Sequence, residues 1–258
     1  MNVLAFDTSS AATVVGLLRS DKAVFAALDR RSPGERPGHQ ERMLPLAGQL
    51  LAGAQLQLAA IERIAVGIGP GTFTGLRVGV ATARALAQAL ACAIVPVSSL
   101  QALACSAAAA LGGRQTAGEL AALALTDARR GELFAASYLL CGEDQSAWER
   151  LPAELLAPRA IAPCAVRELI AQARAAAGAR ELVAVGDGVP MLSQELERAG
   201  VIVPQPAGDA QLIDGGALAR LGALGRPVAI VEVLPDYCRA PDAQIARAGA
   251  RGQVEAPA

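Results

Sequence analysis

A carboxylate and two hydroxyls stand together near the start of the sequence. Asp7, Thr8 and Ser9 directly follow an apolar run that begins at Val3, so they come at the carboxyl end of a predicted strand. In ATP-using enzymes, residues of these types hold a metal-bound phosphate. This segment is therefore a candidate for one half of a nucleotide site.

The other half of such a site would need a second acidic residue and a second glycine-rich phosphate turn. Asp127 is the candidate carboxylate, but Arg129 and Arg130 crowd it with positive charge, and the only candidate turn is the short run "VGDGVP" at 185–190. Because half of the parts are present, the sequence predicts a vestigial nucleotide site. Its residues are Asp7, Thr8, Ser9 and Asp127.

A glycine-rich segment, "GIGPGTFTGLRVG" at 67–79, lies directly before a helical pattern. It does not fit the Walker loop, because only three residues separate Gly71 from Gly75 and no lysine follows, and its first glycines alternate, unlike the dinucleotide fingerprint. We expect a structural turn in which Thr72 or Thr74 caps the helix, with anion contact at the free amides secondary. The loop residues are Gly69, Pro70, Gly71, Thr72, Phe73, Thr74 and Gly75.

His39 is the single histidine. This excludes metal centres built on two or three imidazoles, and no G-x-S-x-G elbow accompanies it to suggest a serine hydrolase. The five cysteines are widely spaced without a C-x-x-C pair, so they are predicted to be reduced core residues. We expect no catalytic residue, no metal and no cofactor.

The composition is that of a packed protein without a basic nucleic-acid-binding field. The 258 residues are 53% hydrophobic, the net charge is −1 and aromatic residues make up 3%. The lack of an excess of positive charge and the scarcity of aromatic stacking platforms argue against unaided RNA binding. No apolar run is long enough to cross a bilayer, and "MNVLAFDTSS" lacks the pattern of a secretory signal. A soluble, cytoplasmic protein is predicted.

Hydrophobic periodicity predicts an α/β chain. Three strand-like runs joined by short turns come first, and helices then alternate with strands up to about residue 110. The predicted strands are 3–6, 13–18, 23–28, 64–68, 94–97 and 182–185, and the predicted helices are 43–54, 74–90, 98–110, 164–177, 191–199 and 212–224.

The two halves of the sequence resemble each other. "VLAFDTSSAATVVGLL" near the start and "LALTDARRGELFAASYLL" in the second half each read as a strand ending in aspartate, a polar turn and another strand. This favours a duplicated α/β unit, and two coincidental hairpins remain the alternative. The predicted domains are a first lobe at 1–111, a second, degenerate lobe at 112–243, and a flexible tail at 244–258.

The helices predicted at 43–54 and 74–90 carry features of a docking surface. The first has two apolar lines, and the second has small residues at every fourth position from Gly75 to Ala87, which let another backbone approach. The alternative is that both faces are buried within the chain. If they do dock a partner, Gly79→Leu, or Leu46→Asp with Leu50→Asp, should abolish association and leave the chain folded.

Several segments in this order resemble the bacterial TsaB (YeaZ) family. They are "LAFDTSS", "GHQERMLP", "GIGPGTFTGLRVGVATARALA", "VSSLQALA", "DARRGELFAASY", "GDG" and "PDYCRAPDA". The resemblance covers residue 2 to about residue 243, and the GPGTFTGLR segment is highly specific. The departures are Cys238, at a position that is often aliphatic, and a 30–37 segment unusually rich in Arg and Pro. The resemblance implies a two-lobed actin/Hsp70/sugar-kinase-like fold, which is a duplicated ribonuclease H-like fold.

The resemblance also implies a function. The family is expected to act as a non-catalytic subunit that binds and activates the paralogous transferase TsaD, together with the ATPase TsaE, in forming N6-threonylcarbamoyladenosine at position 37 of ANN-decoding tRNAs. It implies a homodimer when the chain is alone, tRNA contact only through the complex, and no membrane contact. The alternative is a working ATPase or carbamoyl-transfer enzyme of the same fold. The expected interface residues are His39, Met43, Leu46, Ala47, Leu50, Ala54, Arg77, Val78, Gly79 and Ala83.

Overall fold

The computed structural model describes residues 1–30, 35, 37–111, 119–140, 150–204 and 211–238. Within them, nine strands form two sheets, with strand orders β3-β2-β1-β4-β5 and β8-β7-β6-β9. In each sheet the first three strands are an antiparallel meander, and the strand after a crossover pairs parallel to the first.

The first sheet is built by a meander followed by two strand-helix crossovers. Its strands are β1 (Val3–Asp7), β2 (Ala12–Leu18), β3 (Val24–Arg30), β4 (Arg63–Gly69) and β5 (Ala93–Ser98). Its helices are α1 (His39–Gly53), α2 (Phe73–Leu90) and α3 (Ser99–Ala110). The predicted elements of this half are confirmed, with ends shifted by a few residues.

The second sheet repeats the order of the first with one strand fewer. Its strands are β6 (Leu120–Arg129), β7 (Glu132–Leu140), β8 (Ala153–Ile161) and β9 (Leu182–Val185), and the helices of this half are α4 (Val166–Ala177), α5 (Ser193–Arg198) and α6 (Gly215–Leu224). The predicted duplicated, two-lobed α/β fold is thereby confirmed.

Strand β8 is the element that the sequence pattern missed. It is a half-exposed edge strand, and Pro158 interrupts its apolar run. Pro is tolerated at a sheet edge because a missing backbone donor there can face solvent.

The helices divide into three layers around the two sheets. α1 and α2 cover the outer face of the first sheet, where their apolar stripes pack on β1, β2 and β4. α3 and α6 lie between the sheets and join both in one core. α4 covers the outer face of the second sheet.

Helix α6 comes late in the chain but packs on the first sheet. Its first residue, Gly215, approaches the β2 backbone so closely that an added Cβ would lie 2.4 Å from the Val15 carbonyl oxygen. The Asp214 side chain caps the helix by accepting from two backbone amides. At its other end, Arg63 from β4 donates to three carbonyl oxygens, those of Gly222, Ala223 and Gly225.

Residues 225–238 form a strap that returns along the first lobe. Its Val228 amide donates to the Ile94 carbonyl at the start of β5, and a 3₁₀ turn, Ile230–Glu232, packs against α2. The Asp236 amide donates to the Ile68 carbonyl at 2.7 Å. The strap therefore runs from the first residues of β5 to the last residues of β4.

The predicted lobe boundary at residues 111 and 112 stays a prediction, and 112–118 lie outside the described residues. The tail predicted at 244–258 and the Arg/Pro-rich residues 31–34 also lie outside them. Across the described ranges, no helix is long and apolar enough to span a membrane.

Two glycine substitutions should change stability in opposite directions. Gly215→Ala should lower the free energy of unfolding by about 1–3 kcal/mol, because the methyl group must displace the β2 backbone. Gly48→Ala should raise it by up to about 1 kcal/mol, since nothing lies within 4 Å of its added Cβ and alanine favours a helix interior. Urea denaturation checks both, and a Gly215→Ala chain as stable as the wild type would contradict the close packing of α6.

Candidate functional site

The carboxylate of Asp7 is buried at the carboxyl edge of the first sheet. Its Oδ1 accepts from the Ser9 amide at 2.8 Å and the Ser9 hydroxyl at 2.6 Å, and its Oδ2 accepts from the Ser99 hydroxyl at 2.6 Å. Burial raises the pKa of Asp7 above its ordinary 3.8, while these hydrogen bonds oppose the rise. The Asp7 carboxylate is therefore occupied by hydrogen bonds from an amide and two hydroxyls of the chain itself.

The contact between Asp7 and Ser99 spans a strand. β4 lies between β1 and β5, so the two backbones are about 9.5 Å apart, two strand spacings. Gly67 of β4 makes the bridge feasible, because a Cβ there would lie 1.8 Å from the Asp7 Oδ2. The Ser99 hydroxyl also accepts from the Gly69 amide at 3.1 Å, so the same group holds the beginning of the glycine loop.

The glycine loop is joined directly to the turn after β1. The Thr72 amide donates to the Ser9 carbonyl at 2.7 Å, and the Thr8 hydroxyl donates to the Gly75 carbonyl at 2.7 Å. An added Cβ would lie 2.4 Å from the Ser9 carbonyl oxygen at Gly71 and 2.0 Å from the Thr8 carbonyl oxygen at Gly75. The glycines thus permit backbone-to-backbone packing.

The start of α2 consequently fills the space beside the β1 turn. Thr8 and Ser9 are both buried, and their backbone carbonyls face the loop. Thr72 occupies the cap position, but its side chain makes no capping hydrogen bond. The predicted hydroxyl cap at this residue is therefore wrong, since the backbone of Thr72 anchors the helix instead.

Asp127, in the second half of the predicted nucleotide site, also makes its hydrogen bonds with neighbouring residues of the chain. Asp127 accepts from the Arg129 amide at 2.7 Å and contacts the Arg129 guanidinium at 3.3 Å, while the Asp127 amide donates to the Asp187 carboxylate. In the 185–190 turn, the Gly188 amide donates to the Leu125 carbonyl. The predicted crowding of Asp127 by arginine is confirmed for Arg129.

His39 is buried at the first turn of α1. Its Nδ1 lies 2.9 Å from the Thr13 hydroxyl of β2. Burial lowers the pKa of His39 below its ordinary 6.5, and the nearby Asp7 and Asp29 carboxylates only oppose this. The contact with Thr13 thus joins α1 to β2, and the lowered pKa favours the neutral imidazole.

Most of the residues expected at a partner interface lie inside the chain. The members that pack against the first sheet or its turns are His39, Met43, Leu46, Ala47, Leu50, Ala54, Gly79 and Ala83. Gly79 faces the Thr8 hydroxyl, which a Cβ would approach to 2.3 Å. Within the stripe of small residues on α2, Gly75 and Gly79 therefore receive the chain's own β1 turn, and Ala83 and Ala87 lie in the core beside the first sheet.

This burial gives a different expectation for the substitutions at Gly79, Leu46 and Leu50. Gly79→Leu would push a side chain into Thr8, and Asp at Leu46 and Leu50 would place carboxylates in the core beneath α1. Each change should destabilise the fold itself, because buried charges and overpacking are costly.

The exposed surface of α1 and α2 lies on the sides of the two helices that face away from the sheet. Leu44 is 50% exposed and Phe73 is 40% exposed, and Gly48, Arg77 and Ala81 are also exposed. Val78 is half-buried between the two sides. α1 and α2 contact each other, and these five exposed residues of the two helices are together called the docking face below.

The cysteines differ in their surroundings. Cys105 is buried, Cys92 and Cys238 are half-buried, and none of these is in a disulfide. Cys164 is exposed, which corrects the prediction that every cysteine fills the core. Cys141 lies outside the described residues. Among the described residues, no group of three or more His, Cys, Asp or Glu could hold a metal ion.

Sequence reasoning missed Ser99 and Tyr237. Ser99 follows β5, and a parallel order of β1, β4 and β5 would have placed it at the same edge as Asp7. Tyr237 stacks on Phe73 with ring centroids 5.0 Å apart. No local pattern signals this contact between residues 164 positions apart (237 − 73).

Comparison with protein families gives one match over most of the chain. Residues 36–247 match the family described as TsaD: tRNA N6-adenosine threonylcarbamoyltransferase. In structure, the chain is similar to YeaZ from Pseudomonas aeruginosa, with a TM-score of 0.71, 25% identity, and coverage of 92% of this chain and 99% of that one.

Curated relatives match over a shorter stretch. An uncharacterised protein of Mycobacterium leprae is 39% identical over 136 residues, which are 53% of this chain and 35% of that protein. The tRNA threonylcarbamoyladenosine biosynthesis protein TsaB of Haemophilus influenzae is 36% identical over 135 residues, 52% of each chain. The matched part thus spans about half the length of such relatives, or less.

The single histidine should make stability depend on pH. The contribution of His39 to the unfolding free energy should be constant well above its ordinary pKa of 6.5 and should be lost as the pH falls through that value, because the unfolded chain takes up the proton more readily than the folded one. A His39→Gln chain should show a flatter dependence between pH 7.5 and 5. Urea denaturation across this range measures both, and parallel curves for the two chains would contradict a buried neutral imidazole.

Proposed function

The chain belongs to the tRNA N6-adenosine threonylcarbamoyltransferase (TsaD) family, within its TsaB (YeaZ) branch, and we propose that it is a non-catalytic subunit of threonylcarbamoyladenosine biosynthesis. In this proposal it binds and activates the paralogous TsaD-type transferase, which modifies position 37 of ANN-decoding tRNAs. The chain itself carries out no step of the chemistry.

One observation supports the proposal: the Asp7 carboxylate and the glycine loop are hydrogen-bonded within the chain. The Asp7 carboxylate is occupied by the Ser9 and Ser99 hydroxyls, and the glycine loop is hydrogen-bonded to the turn after β1. A metal-bound phosphate would need that carboxylate and the space that the start of α2 fills. What the loop does instead is hold α2 at a fixed position on the sheet.

The exposed side of α2 offers a contact surface for another molecule. The docking face of Leu44, Gly48, Phe73, Arg77 and Ala81 combines exposed apolar side chains, small residues and one arginine. Small residues allow helices of another molecule to approach closely, and aromatic residues and arginine are frequent energetic centres of interfaces. We therefore assign the transferase contact to this face.

The other proposed partners are those that the family resemblance implies. The docking face would join two copies of the chain when the transferase is absent, and the TsaE-type ATPase would join the assembled pair. The net charge of −1 supports tRNA contact through the complex, since phosphate binding is driven by clustered basic residues.

The alternative, an ATPase or carbamoyl-transfer enzyme, receives less support from the geometry. It would require Asp7 and Asp127 to hold magnesium and ATP across the two lobes, but both carboxylates accept hydrogen bonds from their own turns. Binding of ATP at micromolar concentration that is lost in Asp7→Asn would favour this alternative.

The transferase contact can be tested with Gly48→Arg and Ala81→Asp. Both positions are exposed, so the chain should stay folded, while each new charge should weaken association with the transferase at least about tenfold, the effect of losing one strong interface contact. Titration calorimetry with the purified transferase measures the affinity, and circular dichroism checks the fold.

Met191→Asp is the matched control, because Met191 is 46% exposed in the second lobe, away from the docking face. This variant should bind as the wild type does. Equal losses at all three positions, or wild-type affinity for Gly48→Arg and Ala81→Asp, would refute the assignment of the contact to this face.

A further inference from the structure

Arg77 on the docking face is held by two aromatic rings. Its guanidinium carbon lies 3.7 Å from the centroid of the Phe73 ring, and its Nε donates to the Tyr237 hydroxyl at 3.1 Å. Phe73 and Tyr237 in turn contact each other, with an interplanar angle of 33°. A stacked guanidinium with its Nε engaged has lost much of the freedom of an ordinary surface arginine.

The rings that hold Arg77 come from distant parts of the chain. Phe73 begins α2, while Tyr237 lies at the end of the strap. The strap is fixed beside the loop by the hydrogen bond from the Asp236 amide to Ile68, and the Asp236 carbonyl packs against Gly69, where a Cβ would approach it to 2.5 Å. The guanidinium is therefore positioned by the same loop that anchors α2.

The charge of Arg77 is not neutralised within the described part of the chain. No carboxylate there forms an ion pair with it, and the first turn of α2 contains no acidic residue. A cation close to a helix amino terminus is unfavourable, because the helix dipole places positive charge there too. An incoming anion would relieve this repulsion.

The surroundings of Arg77 indicate which anion it meets. Phe73 stacks on it, and the strap that carries Tyr237 also exposes two large apolar side chains, Leu234 at 59% and Val231 at 71%. Apolar side chains around one oriented arginine are typical of protein interfaces, whereas RNA surfaces carry several basic residues together. The orientation of the guanidinium leaves its two terminal nitrogens to form a fork for a carboxylate.

We propose that the Phe73–Arg77–Tyr237 cluster is a preformed receptor for a carboxylate of the transferase subunit, and that the strap extends the docking face beyond α1 and α2. This proposal rests on the proposed function. Tyr237 is a positioning residue in it, because it holds the guanidinium without meeting the partner's carboxylate itself. The partner segment would carry an Asp or Glu flanked by apolar side chains that cover Leu234 and Val231.

The test uses the full chain and the purified transferase in titration calorimetry. Arg77→Lys keeps the charge but loses the planar fork and should weaken association about tenfold, and Arg77→Gln should weaken it at least as much. Tyr237→Phe keeps the ring stack but frees the guanidinium, and we expect a loss of about threefold. Arg84→Lys, on the same helix without such a stack, is the matched control and should bind as the wild type does.

Salt dependence gives a second readout. Between 50 and 500 mM NaCl the wild-type affinity should fall more than that of Arg77→Gln, because the variant has no ion pair left to screen. Circular dichroism and thermal unfolding of each variant verify that the fold is intact.

The outcomes separate the two proposals. No association of the wild type with the transferase would refute the proposed function and this inference with it. Association that survives Arg77→Gln unchanged would refute the inference alone. If Arg77→Gln leaves protein association intact but weakens tRNA binding by the assembled complex, the cluster is a phosphate contact, and the carboxylate receptor is likewise refuted.

Discussion

The hydrogen bond between Asp7 and Ser99, made across Gly67, is the constraint on which the rest of the first lobe depends. It requires a buried carboxylate, which is tolerated because three donors satisfy it. It also fixes the register of three strands at the edge where the glycine loop begins. The loop then transmits this position to α2 through the hydrogen bonds of Thr8 and Thr72.

The same residues that could serve a nucleotide thus serve the fold. In a working phosphate site, the carboxylate and hydroxyls after the first strand must be free to meet a ligand. Here they are consumed by one another and by the packing of the loop. The arrangement ties the start of α2 to the turn after β1, and a surface already held in place loses little freedom when it binds a partner. The strap adds to it by holding an arginine in one orientation beside exposed apolar side chains.

The sequence predicted the architecture well because long periodic segments and the repeated strand-aspartate-turn pattern are local features. It could not predict which side of α1 and α2 meets the sheet. The spacing of small residues from Gly75 to Ala87 suits a partner helix and the chain's own β1 turn equally, and only the structure shows that Gly75 and Gly79 pack closely against Thr8. The same holds for Leu46 and Leu50, whose spacing predicts an apolar face but not its occupant. Contacts such as Phe73 with Tyr237 depend on the path of the strap, which no short motif encodes.

The central claim is that this chain supports the transferase without performing the chemistry. Threonylcarbamoyladenosine formation on unmodified ANN-decoding tRNA, measured by mass spectrometry of nucleosides with purified components, tests it most directly. The account predicts no product with this chain alone, and product from the transferase system only when the chain is added. Modified tRNA made by this chain in the absence of the transferase would contradict it.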